Sequence, residues 1–485
     1  MPLNGRKEAT KGVTQLRVVL INPPITPFER YGSNIGKAGG RQVPLGICYI
    51  AAVLRLGKIE VKIIDAEAED LDYKEIINRI KTFKADVVGI TSTTVAFHRT
   101  LELAQKIKEY DKDLHVVLGG SHITALPDYS MSFDCFDYGV VGEGEITFYQ
   151  LLQAINKGSD FEKVDGILFR KGGEIIKTKP REYIKDLDML PFPARDMLAD
   201  INLYPPPPMN YRHKPVLNLI TSRGCPNRCI FCDRNVFGQR YREHSAEYVI
   251  KEIEHLVNEF GAKELAFVDD TFTINRKRVE RIMDLMKERG YELDWTCMAR
   301  VNTVTNDFLQ RMKDSGCWHI SYGIESGDQD VLDFIKKGIT LDQIKQAIKW
   351  TDEVGINSKG FFIVGHLIDN EETIEKTIKF AKSLPLTDVV VTINTPIPNT
   401  DQYKIVKEYG ELDTQDWSKF SYWKPVFVPN GLSEEYLMRV QKKFYREFYF
   451  QPKTLIKHLR QIRGFVDVKR YVHGAKALSY AFSKS

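Results

Sequence analysis

The chain has 485 residues, 43% of them apolar and 28% charged, with a formal net charge of +4, which is ordinary usage for a globular protein of two or three domains. No stretch approaches the run of about 20 apolar residues that crosses a bilayer, and residues 1–15 are polar with no apolar signal core, so a cytoplasmic protein is expected. Seven cysteines, an odd number and mostly scattered, fit a reducing compartment rather than a disulfide scaffold.

Residues 16–158 alternate apolar strand patterns (17–22, 61–65, 87–91, 115–118, 138–141) with helical ones (near 45–56, 73–83, 97–110, 125–131, 146–156). Such alternation predicts a doubly wound, Rossmann-like sheet with ligand contacts in its strand-end loops. Those loops read Asn22-Pro23-Pro24, Thr91-Ser92-Thr93-Thr94, Gly119-Gly120-Ser121-His122 and Gly142-Glu143-Gly144-Glu145. No Gly-x-Gly-x-x-Gly joins the first strand to the first helix, so a dinucleotide fingerprint is absent. On these loops alone a receiver or flavodoxin-like module remains open. Residues 159–214 change character: 167–176 predicts a hairpin about a glycine turn, and the prolines at 191, 193 and 205–208 predict an extended connector between domains.

Residues 215–402 alternate again, with six short strands expected at 216–221, 264–268, 293–297, 319–323, 360–364 and 388–394. Helices between them include 246–260 and 276–289, each with an apolar stripe at helical spacing. The first strand runs into Cys225-Pro-Asn-Arg-Cys229-Ile-Phe231-Cys232. Three thiols at this spacing can wrap one corner of a cuboidal iron–sulfur cluster and leave its fourth iron open. A zinc site completed by His213 or His244 is the blander alternative. Cys48, Cys135, Cys297 and Cys317 stand alone in apolar settings and read as small core residues, so no second cluster is expected. Polar residues end several strands: Asp269 and Asp270 the second, Arg300 after the third, Glu325 and Ser326 the fourth. Asp269 or Asp270 capping the next helix is the structural alternative.

The cysteine spacing, with Phe231 before the last thiol and a strand leading in, resembles the radical S-adenosylmethionine (SAM) superfamily. The resemblance implies a partial (β/α)6 TIM-type barrel and a 4Fe-4S cluster on Cys225, Cys229 and Cys232. It also implies SAM contacts from Phe231, Asp269, Arg300, Glu325 and Ser326. Placed ahead of such a barrel, the N-terminal loops resemble the cobalamin-binding domain of the cobalamin-dependent branch. That resemblance gives Pro23, Thr91, Ser92, Thr93, Gly119, Gly120, Ser121, Gly142, Glu143, Gly144 and Glu145 to cobalamin. The Asp-x-His-x-x-Gly run of other cobalamin proteins is missing, which implies base-off binding without a histidine ligand; His98 and His122 read as ordinary helix or loop residues. Two runs depart from the family: Gly365-His366-Leu367-Ile368-Asp369 stands where Gly-Leu-Pro-Gly-Glu is common, and Pro398-Asn399-Thr400 where Pro-Gly-Thr is. His366 is therefore a speculative catalytic candidate.

The implied reaction is reductive cleavage of SAM followed by modification of an unactivated carbon. C-methylation comes first, with cyclisation, ring contraction or oxidation as alternatives known among relatives such as the anaerobic magnesium-protoporphyrin cyclase and hopanoid-tailoring enzymes. An external electron donor such as flavodoxin or ferredoxin is implied. Residues 403–485 read as a small, mostly helical region with aromatics at Trp417, Tyr422 and Trp423. From 436 onward it carries 12 Lys or Arg against 2 acidic residues. Packing of its aromatics with solvated cations, docking on an anionic membrane, or nucleic-acid binding are the three readings. No RNA-binding module supports the last, so a small-molecule, lipid-like substrate is expected and nucleic acid is not. A zinc-stabilised binding protein is the reading from outside enzymology.

Overall fold

The computed structural model describes residues 16–35, 39–207, 210–413 and 416–462. The chain folds into two compact units, one built from residues up to 26 and 43–203 with 235–237, the other from 27–42, 204–234 and 238 onward.

The first unit is a seven-stranded sheet. Its strands are β1 (Arg17–Asn22), β2 (Glu60–Asp65), β3 (Val87–Thr91), β4 (His115–Gly119), β5 (Tyr138–Val140), β6 (Ile167–Lys171) and β7 (Glu174–Lys177), in the spatial order 2-1-3-4-5-6-7. The first five are parallel, and Val18, Val19, Val87, Val88 and Val116 are completely buried. Helices on both faces bury both sides of such strands, which is why they are continuous Val and Ile runs rather than alternating ones. Among those helices, α1 (Leu45–Leu56) is apolar nearly all round, while α2 (Tyr73–Phe83) starts at a capping box of Asp72 and Glu75. The order reverses between β1 and β3, and in doubly wound sheets ligands bind at such a switch point, beyond the C-terminal strand ends. The hairpin at 167–176, expected in the connector, is part of this sheet: Phe169 and Leu168 pair antiparallel with Tyr138 and Gly139.

The second unit carries six parallel strands: β8 (Val216–Leu219), β9 (Glu264–Phe267), β10 (Asp294–Ala299), β11 (Cys317–Glu325), β12 (Asn357–Val364) and β13 (Asp388–Ile393). They lie in sequence order, with crossover helices α3 (Ala246–Phe260), α4 (Arg276–Glu288), α5 (Leu341–Glu353) and α6 (Glu371–Ser383) among the connections. Ser245 caps α3, accepting from the Tyr248 amide at 3.0 Å, and Gly261 ends it with φ 63°. Residues alternate along the strands. One face, including Leu265, Trp295, Ile320, Phe362 and Val391, is fully buried; the other, including Met298, Ser321, Phe361, Ile363 and Thr392, is half-buried. The half-buried row is the lumen of the open barrel, since helices cover only the outer face.

Six strands leave two edges, β8 and β13, and the C-terminal region covers the second. Helix α7 (Glu434–Tyr449) lies along β13: the Tyr445 hydroxyl accepts from the Val391 amide at 2.9 Å, and Gln441 Nε2 donates to the Val391 carbonyl at 2.9 Å. Tyr449 receives the Val389 amide at 3.4 Å. Side chains thus satisfy backbone groups that a seventh strand would otherwise pair. The aromatic run at 444–450 is largely consumed in this way, with Phe444 and Phe448 completely buried. The basic segment from 463 onward lies outside the described residues. Among the described residues no helix is long and apolar enough to cross a membrane.

Candidate functional site

The cysteine loop leaves the C-terminal end of β8 and is bracketed by a two-residue antiparallel ladder, Ser222–Arg223 against Arg242–Glu243. It is pinned to the barrel at its centre. The Ile230 amide donates to the Ile335 carbonyl at 3.0 Å, and the Ile230 carbonyl accepts from the Gln402 amide at 2.9 Å. Asn227 Nδ2 approaches Cys225 Sγ at 3.1 Å. All three cysteines are free thiols. Burial first, then the charges of Cys229, Asp270 and Cys225, push the Cys232 thiol up to about 12; metal coordination overrides such a shift, because bound thiolates are deprotonated by the ion itself. Among the described residues no three His, Cys, Asp or Glu side chains converge on one metal ion. A cuboidal cluster takes each thiolate on a different iron and needs no such convergence, so the donor set fits it.

The histidines of the zinc alternative are placed elsewhere. His213 lies at the opposite end of the barrel, its amide on Glu264 at 2.9 Å and its ring 3.3 Å from Asp294, where β9 and β10 begin. His244 is buried with its ring stacked on Tyr248 at 3.9 Å.

Arg300 comes to the loop: Nη1 stands 3.7 Å from Cys229 Sγ, and Nη2 donates to the Lys337 carbonyl. Glu325 ends β11 in the left-handed region, φ 69°, which costs a bulky residue energy and marks functional sites. Its carboxylate forms a buried ion pair with Lys337 at 2.7 Å. A Cβ on Gly323 would stand 2.5 Å from that carboxylate and 2.7 Å from the ammonium, so the strand is side-chain-free where the pair sits. Lys337 Nζ lies 6.0 Å from the Phe231 ring centre, and the His366 ring centre lies 6.1 Å from that same ring. Phe231, Arg300, Glu325 and His366 are therefore gathered at one end of one barrel.

Asp269 and Ser326 have other work. Asp269 is fully buried and accepts from Thr221 Oγ1 at 2.8 Å, the Thr221 amide at 3.1 Å and Ser222 Oγ, which braces the base of the cysteine loop. Neither it nor Asp270 caps the following helix; Asn275 does, accepting from the Arg278 amide at 3.2 Å. Ser326 Oγ is 3.1 Å from Thr377 Oγ1 and so ties β11 to α6.

His366 is completely buried, and neither ring nitrogen has a hydrogen-bond partner. Burial pushes its pKa down to about 3; the Glu325 backbone opposes this without reaching hydrogen-bond geometry, and Lys337 adds to it. The imidazole is neutral, with one donor and one acceptor to offer. Asp369 fixes its loop by accepting the Gly365 and His366 amides at 2.9 Å each. The segment after β13 supplies two groups that sequence reasoning missed: Gln402, in the short helix Asp401–Ile405, donates from Nε2 to Asn394 Oδ1 at 2.8 Å, leaving Asn394 Nδ2 and Gln402 Oε1 buried and unpaired. Lys337 was missed as well. The signal for Gln402 was its place just after Pro398-Asn399-Thr400, in a run that already departed from expectation.

In the first unit, Thr91 and Gly119 are register partners at adjacent strand ends. Gly120, φ 98°, packs so closely that a Cβ would lie 2.6 Å from the Ser92 carbonyl oxygen, whereas Gly119 and Gly142 face open space. Thr93 is exposed, and Ser121 and Gly144 are half-buried. Three candidates point inward. Ser92 Oγ accepts from Thr100 Oγ1 at 3.0 Å, Glu143 accepts the Ile184 amide at 2.8 Å, and Glu145 is buried. Pro23 is buried, and its carbonyl accepts the Ile25 amide at 2.8 Å. His122 is buried and stacked on Phe97 at 4.0 Å, and His98 Nδ1 lies 3.1 Å from the Val95 carbonyl, both structural placements.

The Radical SAM superfamily model matches residues 219–381, and the B12 binding domain model matches residues 33–152. An uncharacterised methyltransferase of Pyrococcus horikoshii is 36% identical over 470 residues, 96% of this chain and 99% of that protein. The anaerobic magnesium-protoporphyrin IX monomethyl ester cyclase of Rubrivivax gelatinosus is 30% identical over 90% of this chain and 77% of its own length. Among solved structures, the radical SAM methyltransferase TsrM from Kitasatospora setae, with cobalamin and a 4Fe-4S cluster bound, matches with a TM-score of 0.71 at 14% identity, over 97% of this chain and 100% of that one. The cobalamin-dependent radical enzyme OxsB, with aqua-cobalamin and SAM bound, matches with a TM-score of 0.73 at 18% identity, over 97% and 72%. At such identities the likeness is one of fold.

Proposed function

Since the chain belongs to the cobalamin-dependent radical SAM methyltransferase family, we propose that it methylates an unactivated carbon of a hydrophobic, lipid-like small molecule. The observation that carries the reading is a half-open lumen walled by Met298, Phe361, Ile363 and Val390, at whose C-terminal strand ends the three thiols, Arg300 and Glu325 sit. When bound, the cluster supplies the electron that cleaves SAM, and cobalamin supplies the methyl group.

The chain's own residues bind and orient. Cys225, Cys229 and Cys232 would hold three irons and leave the fourth for SAM. Arg300, beside Cys229, has the fork that matches a carboxylate. Phe231 would pack against the adenosyl portion, while the unpaired polar atoms of His366, Asn394 and Gln402 would meet its hydrogen-bonding edges. Glu325, held by Lys337, presents its remaining oxygen. In the first unit Thr91, Thr93, Gly119, Gly120, Ser121 and Gly142 would line the cobalamin tail, with Ser92 and Glu143 bracing those loops. An external reductant is required, and an acidic flavodoxin or ferredoxin suits it.

Peripheral membrane association is part of the reading. Phe450, Leu455, Ile456 and Leu459 are 47–66% exposed, with the exposed Arg460 next to them in the chain, a pattern that suits an anionic lipid surface. Cyclisation without methyl transfer is the second reading, favoured by the 30% identity to the cyclase. The test is anaerobic reconstitution with SAM, cobalamin and strong reductant. It is followed by measurement of 5′-deoxyadenosine and comparison of lipid extracts from cells with and without the gene. A mass difference of one methyl supports the proposal; a changed ring count with unchanged methylation supports cyclisation; no 5′-deoxyadenosine refutes both.

A further inference from the structure

The lumen face of the barrel changes character with depth. Strand pairing sets Met298 beside Ser321 and Ser321 beside Lys359, and His319 lies two residues below Ser321 on the same face. Above this level Phe361, Ile363 and Thr392 are half-buried and uncharged, and the charges over Gly323, Glu325 and Lys337, are paired with each other at 2.7 Å. At the closed end Lys359 is 6% exposed and His319 2%.

Lys359 Nζ donates to the Asn210 side-chain oxygen and has no ion pair among the described residues. Asp388 is its register partner on β13, but that carboxylate accepts the Tyr449 phenol at 3.2 Å and stands 3.9 Å from His458 Nε2. Burial lowers the Lys359 pKa, and Asp388 offsets part of that. His319 Nε2 is buried with no partner, and burial, Lys359 and Arg212 keep the ring neutral. A buried ammonium with one neutral amide partner is costly, and an incoming anion relieves the cost.

We propose that the closed end of the lumen binds an anionic terminal group of the substrate, a carboxylate or a phosphate, on Lys359 Nζ and His319 Nε2. The inference rests on the hydrophobic-substrate reading above and narrows it to an elongated amphiphile. Lys359 and Val364 lie five residues apart on β12, a span of about 17 Å at ~3.3 Å per residue. The carbon that reacts near the cysteine loop is accordingly on the order of 15 Å from the anion.

The test is calorimetric binding of hexadecanoate, hexadecyl phosphate and hexadecanol to the reconstituted full-length protein. Both anions, or one of them, bind more tightly than the alcohol; binding of one alone identifies the headgroup. Lys359→Met weakens anion binding about tenfold or more and leaves hexadecanol unchanged, while Lys359→Arg restores much of the loss. Equal affinity for all three ligands, or anion binding unaffected by Lys359→Met, overturns this inference and leaves the hydrophobic reading standing. No binding of any hexadecyl compound to the wild type removes the hydrophobic reading and this inference together. Should Lys359→Met fail to fold, His319→Leu with the same ligands decides by the same criteria.

Discussion

Replacing Lys337 with methionine strips the partner from a carboxylate that has nowhere else to turn. The ion pair with Glu325 measures 2.7 Å, with side chains only 7% and 9% exposed. Losing one member of a buried pair typically costs about 3–5 kcal/mol because the other charge is left uncompensated, whereas neutralising both costs far less. The link between Arg300 and the Lys337 carbonyl is made by backbone, so the side-chain change leaves it in place. All five tryptophans, Trp295, Trp318, Trp350, Trp417 and Trp423, lie in the second unit, so tryptophan fluorescence in urea reports the barrel separately from the N-terminal sheet. Lys337→Met is expected to lose about 3 kcal/mol or more, and Lys337→Met with Glu325→Gln to recover at least about 2 kcal/mol of it. A single-mutant loss under about 1 kcal/mol, or a double mutant no more stable than the single, would refute the argument.

Three further outcomes are expected. Tyr445→Phe leaves the Val391 amide unpaired at the barrel's edge, having lost its 2.9 Å acceptor, and costs about 1–3 kcal/mol in the same urea assay; an unchanged midpoint would show that the edge is closed by other means. Burial pushes the Glu264 carboxyl from 4.5 up to about 7, outweighing hydrogen bonds from the His213 and Arg212 amides and from Trp318. The folded barrel then holds this proton more tightly than the unfolded chain, so the contribution to stability falls as pH rises through that window; Glu264→Gln should flatten the decline, and coincident wild-type and mutant slopes would count against it. Gly120→Ala places a Cβ 2.6 Å from the Ser92 oxygen at φ 98°, a strain of about 1–3 kcal/mol that should lower the cobalamin retained through gel filtration. Full retention would place Gly120 outside the binding loops.

The positions of the strands and their alternation with helices were legible because Val- and Ile-rich runs and helical stripes are local properties, read within a window shorter than one element. The cysteine loop was legible for the same reason: its spacing is covalent. Side-chain tasks at strand ends were less so. Asp269 and Arg300 look alike as polar punctuation, yet one braces Thr221, 48 residues away, and the other reaches Cys229, 71 residues away. Lys337 sits in Lys336-Lys337-Gly338, which reads as a solvated helix end; only the return of the chain past β11 buries it against Glu325. The hairpin at 167–176 was visible as a hairpin, but nothing local says that it pairs with β5.

The aromatic, basic C-terminal helix shows the division most plainly. Its composition permits a packed face, a membrane face or a nucleic-acid face, and periodicity separates none of these. Packing against β13 selects the first for Phe444, Tyr445 and Phe448 because an open barrel leaves amides and carbonyls that must find partners. Sequence by itself determined the thiol spacing and the alternation of elements, both set by neighbours along the chain. Which polar groups are paired, which are buried without a partner, and which face of the barrel stays open were settled by tertiary structure, because hydrogen bonding and burial depend on residues brought together from tens of positions apart.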